Sequence, residues 1–205
     1  IATQLGAPEA CVTCLRARRV TDFLTAAAVA VLTWVVVNLP ILVLYPRGWY
    51  EFFRYNSERG ADSDTLFRIL AKAFGFTWNI TLLNAITLGL LALIACGIGY
   101  LALRAPTRPR LVQLAFLMVA GFLLVNKVWS PQYSLWLVPL AVLAIPHTRL
   151  LMTWMVIDAL VWIPRMSLFL DPSRRWLPEG WFTLAVVVRA LMVIVLCIVV
   201  IWQIY

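Results

Sequence analysis

Long apolar stretches recur along this chain of 205 residues, and they limit the folds open to it more than any other feature. Hydrophobic residues make up 63% of the sequence and charged residues only 13%. A water-soluble domain of this length does not need so much apolar surface, so the composition predicts a polytopic membrane protein. We expect an all-α transmembrane bundle with about six membrane helices. The apolar stretches cover residues 23–45, 79–103, 111–126, 132–146, 149–169 and 181–205.

Arginines in the short segments between these stretches predict the orientation of the chain. Residues 104–110 contain three arginines and no acid, and Arg149 follows the fourth stretch. Short basic loops stay in the cytoplasm, so we expect a multi-pass protein of the cytoplasmic (plasma) membrane. Residues 1–22 then form a cytoplasmic segment, residues 23–205 the membrane domain, and residues 46–78 an external loop. This topology explains most of the net charge of +8, and no basic soluble surface for a nucleic acid is predicted.

The loop at 46–78 combines aromatic, turn-forming and acidic residues. Aromatic residues crowd positions 49–55, as expected of a chain lying in the membrane interface. An external amphipathic helix follows, capped by Asp62 or Ser63, with Leu66, Ile69, Leu70, Ala73 and Phe74 on its apolar face. Asp62 and Asp64 are available to a sugar hydroxyl or a metal. Helix capping and solvation are the simpler explanation of the same two acids, for Asp64 more than for Asp62.

A polar turn at 126–133 separates two apolar stretches that are each short for a bilayer. Fifteen helical residues span roughly 22 Å, against a hydrocarbon core of about 30 Å, so the turn is expected near the depth of lipid phosphates. Ser130 followed by Pro131 predicts a helix N-cap and a first helical residue. Free backbone N–H groups at that helix start, with the charge of Lys127, suit an anionic group. A plain reverse turn with Lys127 reaching water is the alternative.

Ionisable residues also occur inside the apolar stretches. Asp158 and Arg165 are seven residues apart, so in one helix they share a face with Trp154 and Trp162. Such residues are costly in a membrane and usually face a partner or a wet cavity. We expect Asp158 to face a polar cavity or to pair within the bundle, and Arg165 to touch a ligand or reach the surface. Arg189 is a further charge inside an apolar run.

Metal and cofactor signals are weak. Cys11 and Cys14 form a single CxxC without a second pair or a nearby histidine, and His147 is the only histidine. One CxxC is a poor zinc signal. We therefore predict no metal site and no resident cofactor.

The segment from Lys127 to Tyr133, Lys-Val-Trp-Ser-Pro-Gln-Tyr, followed by Leu-Trp-Leu at 135–137, resembles a segment of actinobacterial membrane proteins related to glycosyltransferase family 87. Residues 49–67, with the core Asn-Ser-Glu-Arg-Gly-Ala-Asp, are similar to the loop that precedes it in that group. The resemblance covers residues 34–145. It implies a GT-C architecture, a helical bundle whose active site opens on the outer face.

The same resemblance implies a reaction and its substrates. Such enzymes pass a sugar, often mannose, from a polyprenyl phosphate donor to a glycolipid or glycan acceptor. Their catalytic acid lies in a first outer loop near the N-terminus, and nothing before residue 23 can form that loop. The chain is therefore expected to be a C-terminal part whose catalytic acid lies elsewhere, with Asp62 and Asp64 as the candidates within it. The expected substrate-binding residues are Lys127, Ser130, Gln132, Tyr133, Asp158 and Arg165.

Two other classes of function stay open. A non-catalytic subunit could scaffold or regulate a cell-envelope complex, with another membrane protein or the remainder of the same polypeptide as its partner. A transporter could line its pathway with Asp158 and Arg165, although paired broken helices in corresponding halves are then expected. Membrane lipids are partners under every interpretation.

Overall fold

The computed structural model describes residues 20–205, which are helical over most of their length. No strand occurs within residues 20–205, so the all-α prediction is confirmed for this part of the chain. Cys11, Cys14 and most of the predicted cytoplasmic segment 1–22 lie outside the described residues. Two 3-10 helices, Pro131–Trp136 and Pro172–Arg174, precede α6 and α9 respectively. The α-helices are α1 (Val20–Leu44), α2 (Pro46–Glu58), α3 (Leu66–Phe74), α4 (Ile80–Arg104), α5 (Leu111–Val125), α6 (Leu137–Ala144), α7 (Thr148–Leu160), α8 (Trp162–Phe169) and α9 (Glu179–Ile204).

Four helical stretches in the described chain are long and apolar enough to cross a membrane. They are Leu24–Leu44, Ile80–Arg104, Thr148–Phe169 and Glu179–Ile204. The prediction of a helical membrane protein is confirmed at this level, but the predicted count of about six membrane helices is not. The third and fourth apolar stretches form the shorter helices Leu111–Val125 and Pro131–Ala144. Both helices are short for a bilayer, because fifteen α-helical residues extend only roughly 22 Å, less than a hydrocarbon core of about 30 Å.

One compact unit contains residues 20–59 together with 99–105. Within it, α1 contacts α2, and Trp49 Nε1 donates a hydrogen bond of 3.4 Å to Asn38 Oδ1. Pro46 occupies the first turn of α2, where its fixed φ and missing N–H suit a helix start.

The helix α2 forms the first part of the predicted external loop 46–78, where no helix was predicted. Arg54 bridges Glu51 at 2.7 Å and Glu58 at 3.2 Å, one turn away on either side. Pairs spaced three and four residues apart stabilise a helix by roughly 0.2–0.5 kcal/mol each. No residue of α2 is buried within the described chain; Trp49 is half-buried, and Tyr50, Phe52, Phe53 and Tyr55 are exposed.

The second unit contains residues 60–98 and 106–205. Here α9 packs against α5, α7 and α8, while α5 packs against α6. Gly121 of α5 approaches α4 closely, because a Cβ atom at this position would lie 2.7 Å from Ile94 Cγ2. Three glycines of α4, Gly89, Gly97 and Gly99, have a spacing in the sequence that predicts helix packing. Within the described chain this prediction is wrong, because a Cβ atom added at any of the three would meet nothing within 4 Å.

The predicted amphipathic helix is present as α3, but its cap and buried face differ from the prediction. Neither Asp62 nor Ser63 caps it, because the hydroxyl of Thr65 accepts the hydrogen bond from Arg68 N at 3.3 Å. Gly75, at φ 68°, ends the helix in the left-handed conformation that glycine adopts without strain. The buried residues are Phe67 and Ala71, whereas the predicted apolar residues Leu70 and Phe74 are exposed.

Candidate functional site

Two non-helical segments of the second unit meet at the site. Residues 126–130 join α5 to the 3-10 helix with a bend at Lys127, and residues 60–65 precede α3. The backbone N–H of Asp62 donates to the carbonyl of Lys127 at 2.9 Å and ties the segments together. Around this junction lie five charged residues that we call the inner cluster: Asp64, Lys127, Asp158, Arg165 and Arg189.

Arg189 is the centre of the inner cluster. Its Nη2 donates to the carbonyl of Asp64 at 3.0 Å and to that of Trp129 at 3.3 Å. Its Cζ lies 4.1 Å from the centre of the Trp129 ring, and both residues are 0% exposed. A guanidinium above an indole ring is a favourable cation–π contact, worth the most when water is excluded. Its Nε and Nη1 find no hydrogen-bond partner among the described residues.

Asp64 and Arg165 form an ion pair. The Asp64 side chain is buried, and that of Arg165 is 15% exposed. The expectation that Asp64 is an accessible acid is therefore wrong, because its carboxylate is buried in an ion pair with the guanidinium of Arg165. Asp62 is only half-buried and is the more accessible of the two acids.

Lys127 points into the bundle rather than toward water. It is 8% exposed, and its Nζ donates to Asn84 Oδ1 of α4 at 2.5 Å. The alternative of a plain turn in which Lys127 reaches water is therefore wrong. Its role as a phosphate contact stays a prediction.

The 3-10 helix after the turn begins where the sequence predicts, at Ser130 and Pro131. The side-chain cap is wrong, since the Ser130 hydroxyl donates to Gln132 Oε1 at 2.7 Å instead of accepting from the backbone. Tyr133 stacks on Trp136 with ring centres 4.7 Å apart. Gln132 is exposed, and Ser130 and Tyr133 are half-buried, so these three side chains form the accessible rim of the turn.

Asp158 pairs within the bundle, as predicted, by accepting a 2.7 Å hydrogen bond from Ser134 Oγ. Asp158 and Arg165 lie on one helical stretch, Thr148–Phe169, as predicted, because Val161 between α7 and α8 keeps helical φ and ψ. The two charged residues nevertheless take different partners. Of the two tryptophans predicted on the same face, Trp154 is buried and Trp162 is exposed.

The inner cluster combines three cations, Lys127, Arg165 and Arg189, with the carboxylates of Asp64 and Asp158. The Asp62 carboxylate also interacts electrostatically with Arg165, so positive and negative charges are balanced around the junction. In a low-dielectric interior such charges interact strongly with one another and with an anion that enters. Sequence reasoning identified Asp64, Lys127, Asp158 and Arg165 as candidates and noted Arg189 as an intramembrane charge. It missed two partners, Asn84 and Ser134, because a lone amide or hydroxyl in an apolar helix gives no pattern to detect.

An apolar groove of about 380 Å³ runs between α7, α8 and α9. Pro164 and Val188 line it, and these residues directly precede Arg165 and Arg189 in the chain. The groove is bounded by aliphatic and aromatic side chains, and two of its helices, α8 and α9, also contribute Arg165 and Arg189 to the inner cluster.

Comparisons of the chain with protein-family models, with curated proteins and with solved structures found no match. The resemblance to glycosyltransferase family 87 therefore rests on the residues quoted for it.

Proposed function

We propose that this protein is a membrane glycosyltransferase that transfers a sugar such as mannose from a polyprenyl phosphate donor to a cell-envelope glycolipid or glycan. One observation carries the proposal: α8 and α9 contribute both to an inner cluster with three cations and to an apolar groove. A lipid-linked sugar has the complementary parts, an anionic phosphate joined to a long apolar chain.

The groove between α7, α8 and α9 suits the prenyl chain. Its lining includes Ile157, Leu160 and Leu184, and burial of apolar surface there contributes roughly 25 cal/mol per Å². Arg165, the partly exposed cation of the inner cluster, is placed to meet the phosphate through charge-assisted hydrogen bonds. Lys127 and Arg189, which are more deeply buried than Arg165, supply further positive charge.

Transfer to an acceptor hydroxyl needs a general base, usually a carboxylate. Among the described acids near the turn, Asp62 is the best candidate because it is half-exposed and its backbone is fixed by the hydrogen bond to Lys127. A further acid from elsewhere in the full-length protein could serve instead. The exposed rim of Ser130, Gln132 and Tyr133 offers hydrogen-bonding groups to the sugar.

The proposed site faces the outside of the cytoplasmic membrane. Arg110, in the basic segment 104–110, directly precedes α5 and therefore lies at the opposite end of this helix from the turn, where its Nη2 donates to the carbonyl of Ala144 at 3.1 Å. Short basic segments of this kind remain cytoplasmic. A polyprenyl phosphate donor would therefore be used on the outer face.

The test reconstitutes the full-length protein in liposomes with radiolabelled polyprenyl-phosphate mannose and a glycolipid extract. Arg165→Gln should lower kcat/KM by about tenfold or more through loss of the phosphate contact. Asp62→Asn should lower kcat by roughly 10²–10⁴-fold if Asp62 is the base. Asp171→Asn, an exposed acid in the segment before α9, is the matched control and should leave the rate unchanged. Thermal unfolding in detergent checks that each variant is folded.

A folded protein that transfers nothing from this donor or from other polyprenyl-phosphate sugars would favour the second candidate, a non-catalytic scaffold subunit. One observation supports that candidate. The apolar window of Leu24–Leu44 is 0% buried within the described chain and exposes a whole helix to lipid or to a partner. Co-purification of a stoichiometric membrane partner that protects this helix from lipid-soluble labels would support the scaffold.

A further inference from the structure

A second cavity, separate from the inner cluster, has a polar rim. It has a volume of about 320 Å³ and lies between α3, the end of α8 and the start of α9. Its floor includes Phe182, which belongs to a buried apolar cluster with Val161 and Val186. The polar side chains that line it are Ser63, Arg68, Lys72, Arg175, Glu179 and Thr183.

The rim has an excess of positive charge. Arg68, Lys72 and Arg175 are opposed by one acid, Glu179, which Lys72 Nζ contacts at 2.7 Å. Arg175 Nε donates weakly to the carbonyl of Leu170 at 3.4 Å, and neither arginine has an ion-pair partner among the described residues. Two guanidinium groups and two hydroxyls therefore face a space that contains a single carboxylate.

The position of this cavity suits a ligand at the membrane surface. Two helical stretches long enough to cross a membrane meet at the cavity: Thr148–Phe169 ends there and Glu179–Ile204 begins there. Trp176 and Trp181, in the same region, are each 57% exposed. Exposed tryptophans at helix ends are typical of the headgroup layer of a bilayer.

We propose that this cavity binds a phosphate group, carried either by an anionic lipid headgroup or by a soluble phosphate. Planar guanidinium groups bind phosphate oxygens in pairs, and the hydroxyl of Ser63 supplies a further donor. The Thr183 hydroxyl already donates weakly to the carbonyl of Glu179 at 3.4 Å. The apolar floor at Phe182 suits the carbon skeleton next to a headgroup phosphate. This inference is independent of the proposed transfer reaction, because it concerns other residues and a binding measurement.

Glu179 competes with the ligand in this arrangement. Its carboxylate is the anion that Lys72 already contacts, so a bound phosphate has to share or displace it. Replacing Glu179 by glutamine removes the competing charge at nearly constant volume. The proposal therefore predicts one variant that gains affinity, which a folding defect would not produce.

The experiment measures dissociation constants by calorimetry with the purified full-length protein in an uncharged detergent. The probes are inorganic phosphate, short-chain phosphatidylglycerol and short-chain phosphatidylcholine. Arg175→Gln should weaken binding of the preferred anionic probe about tenfold, the effect of losing one charge-assisted hydrogen bond. Arg174→Gln, its neighbour outside the cavity lining, is the matched control and should bind as wild type. Glu179→Gln should bind more tightly than wild type.

The two anionic probes separate the sources of the phosphate. Binding of phosphatidylglycerol without inorganic phosphate identifies a lipid headgroup, and the reverse identifies a soluble phosphate. Either outcome, with the expected order of variants, supports the site. The proposal is overturned if neither anionic probe binds more tightly than phosphatidylcholine, if Arg174→Gln and Arg175→Gln lose affinity equally, or if Glu179→Gln gains none.

Discussion

Ser134 Oγ donates a hydrogen bond of 2.7 Å to Asp158 Oδ1, joining the 3-10 helix before α6 to the last turn of α7. Ser134 is buried and Asp158 is partly buried, so little water is present to replace either partner. The acid that the sequence marks as costly inside a membrane helix is thus stabilised by a hydroxyl from a neighbouring element.

Ser134→Ala should lower the free energy of unfolding by about 1–3 kcal/mol, because it leaves a buried carboxylate oxygen unpaired. Asp158→Asn keeps an acceptor at that position and should cost less. Thermal unfolding in detergent measures both effects. Ser173→Ala, at an exposed serine, is the control and should change stability by less than about 0.5 kcal/mol. Equal stability of the Ser134 and Ser173 variants would contradict the prediction.

Arg189→Met should destabilise the fold by roughly 2–4 kcal/mol, because two buried carbonyls lose a charged donor and Trp129 loses its cation. Arg189→Lys should recover only part of the loss, since an ammonium lacks the planar group that stacks on Trp129 while Nη2 donates to both carbonyls. Chemical denaturation followed by tryptophan fluorescence gives the comparison. An Arg189→Met variant as stable as Arg174→Gln would show that these contacts contribute nothing.

Gly121→Ala and Gly89→Ala should have opposite effects on stability. At Gly121 the new methyl group meets Ile94 Cγ2 at 2.7 Å and should cost about 1–3 kcal/mol through overpacking. At Gly89 nothing lies within 4 Å, so alanine should raise helix stability by up to about 1 kcal/mol. Melting temperatures in detergent report both. Combining Gly121→Ala with Ile94→Ala should relieve the clash, and failure of that rescue would count against this contact.

Single cysteines on a cysteine-free background test the predicted orientation. An impermeant thiol reagent applied to intact cells should label Ser57→Cys and leave Thr107→Cys unlabelled, because residues 46–78 are predicted outside and residues 104–110 inside. Permeabilised cells provide the control for accessibility of the second cysteine. Labelling at 107 without labelling at 57 would reverse the orientation.

Helices were easier to predict than their boundaries and caps. The apolar stretches locate six helical regions, because hydrophobic runs of this kind have few other structures available to them. The helix α2 escaped prediction because its aromatic residues suggest an interfacial loop. The pairing of Arg54 with Glu51 and Glu58 is the helical signal that its sequence contains.

Membership of the candidate site was predictable, but its pairings were not. Asp158 and Arg165 look like partners at a spacing of seven, yet each takes a partner from elsewhere in the chain. Asp64 pairs with Arg165 across about a hundred residues of chain, and sequence spacing carries no information on such a contact. The candidates themselves were visible because a charge in an apolar stretch needs a partner.

The burial of Arg189 has a consequence for the biosynthesis of this protein. An arginine at the centre of a helix opposes insertion by roughly 2.5–3.5 kcal/mol, and each Leu, Ile, Val or Phe of α9 favours it by about 0.3–0.6 kcal/mol. The helix can therefore enter the bilayer before its guanidinium has a partner. Asp64 and Trp129, whose carbonyls receive it, are synthesised earlier in the chain. When α9 packs against the earlier helices, the guanidinium of Arg189 leaves the lipid and binds these two carbonyls. Packing of α9 therefore depends on correct placement of the two segments that contain Asp64 and Trp129.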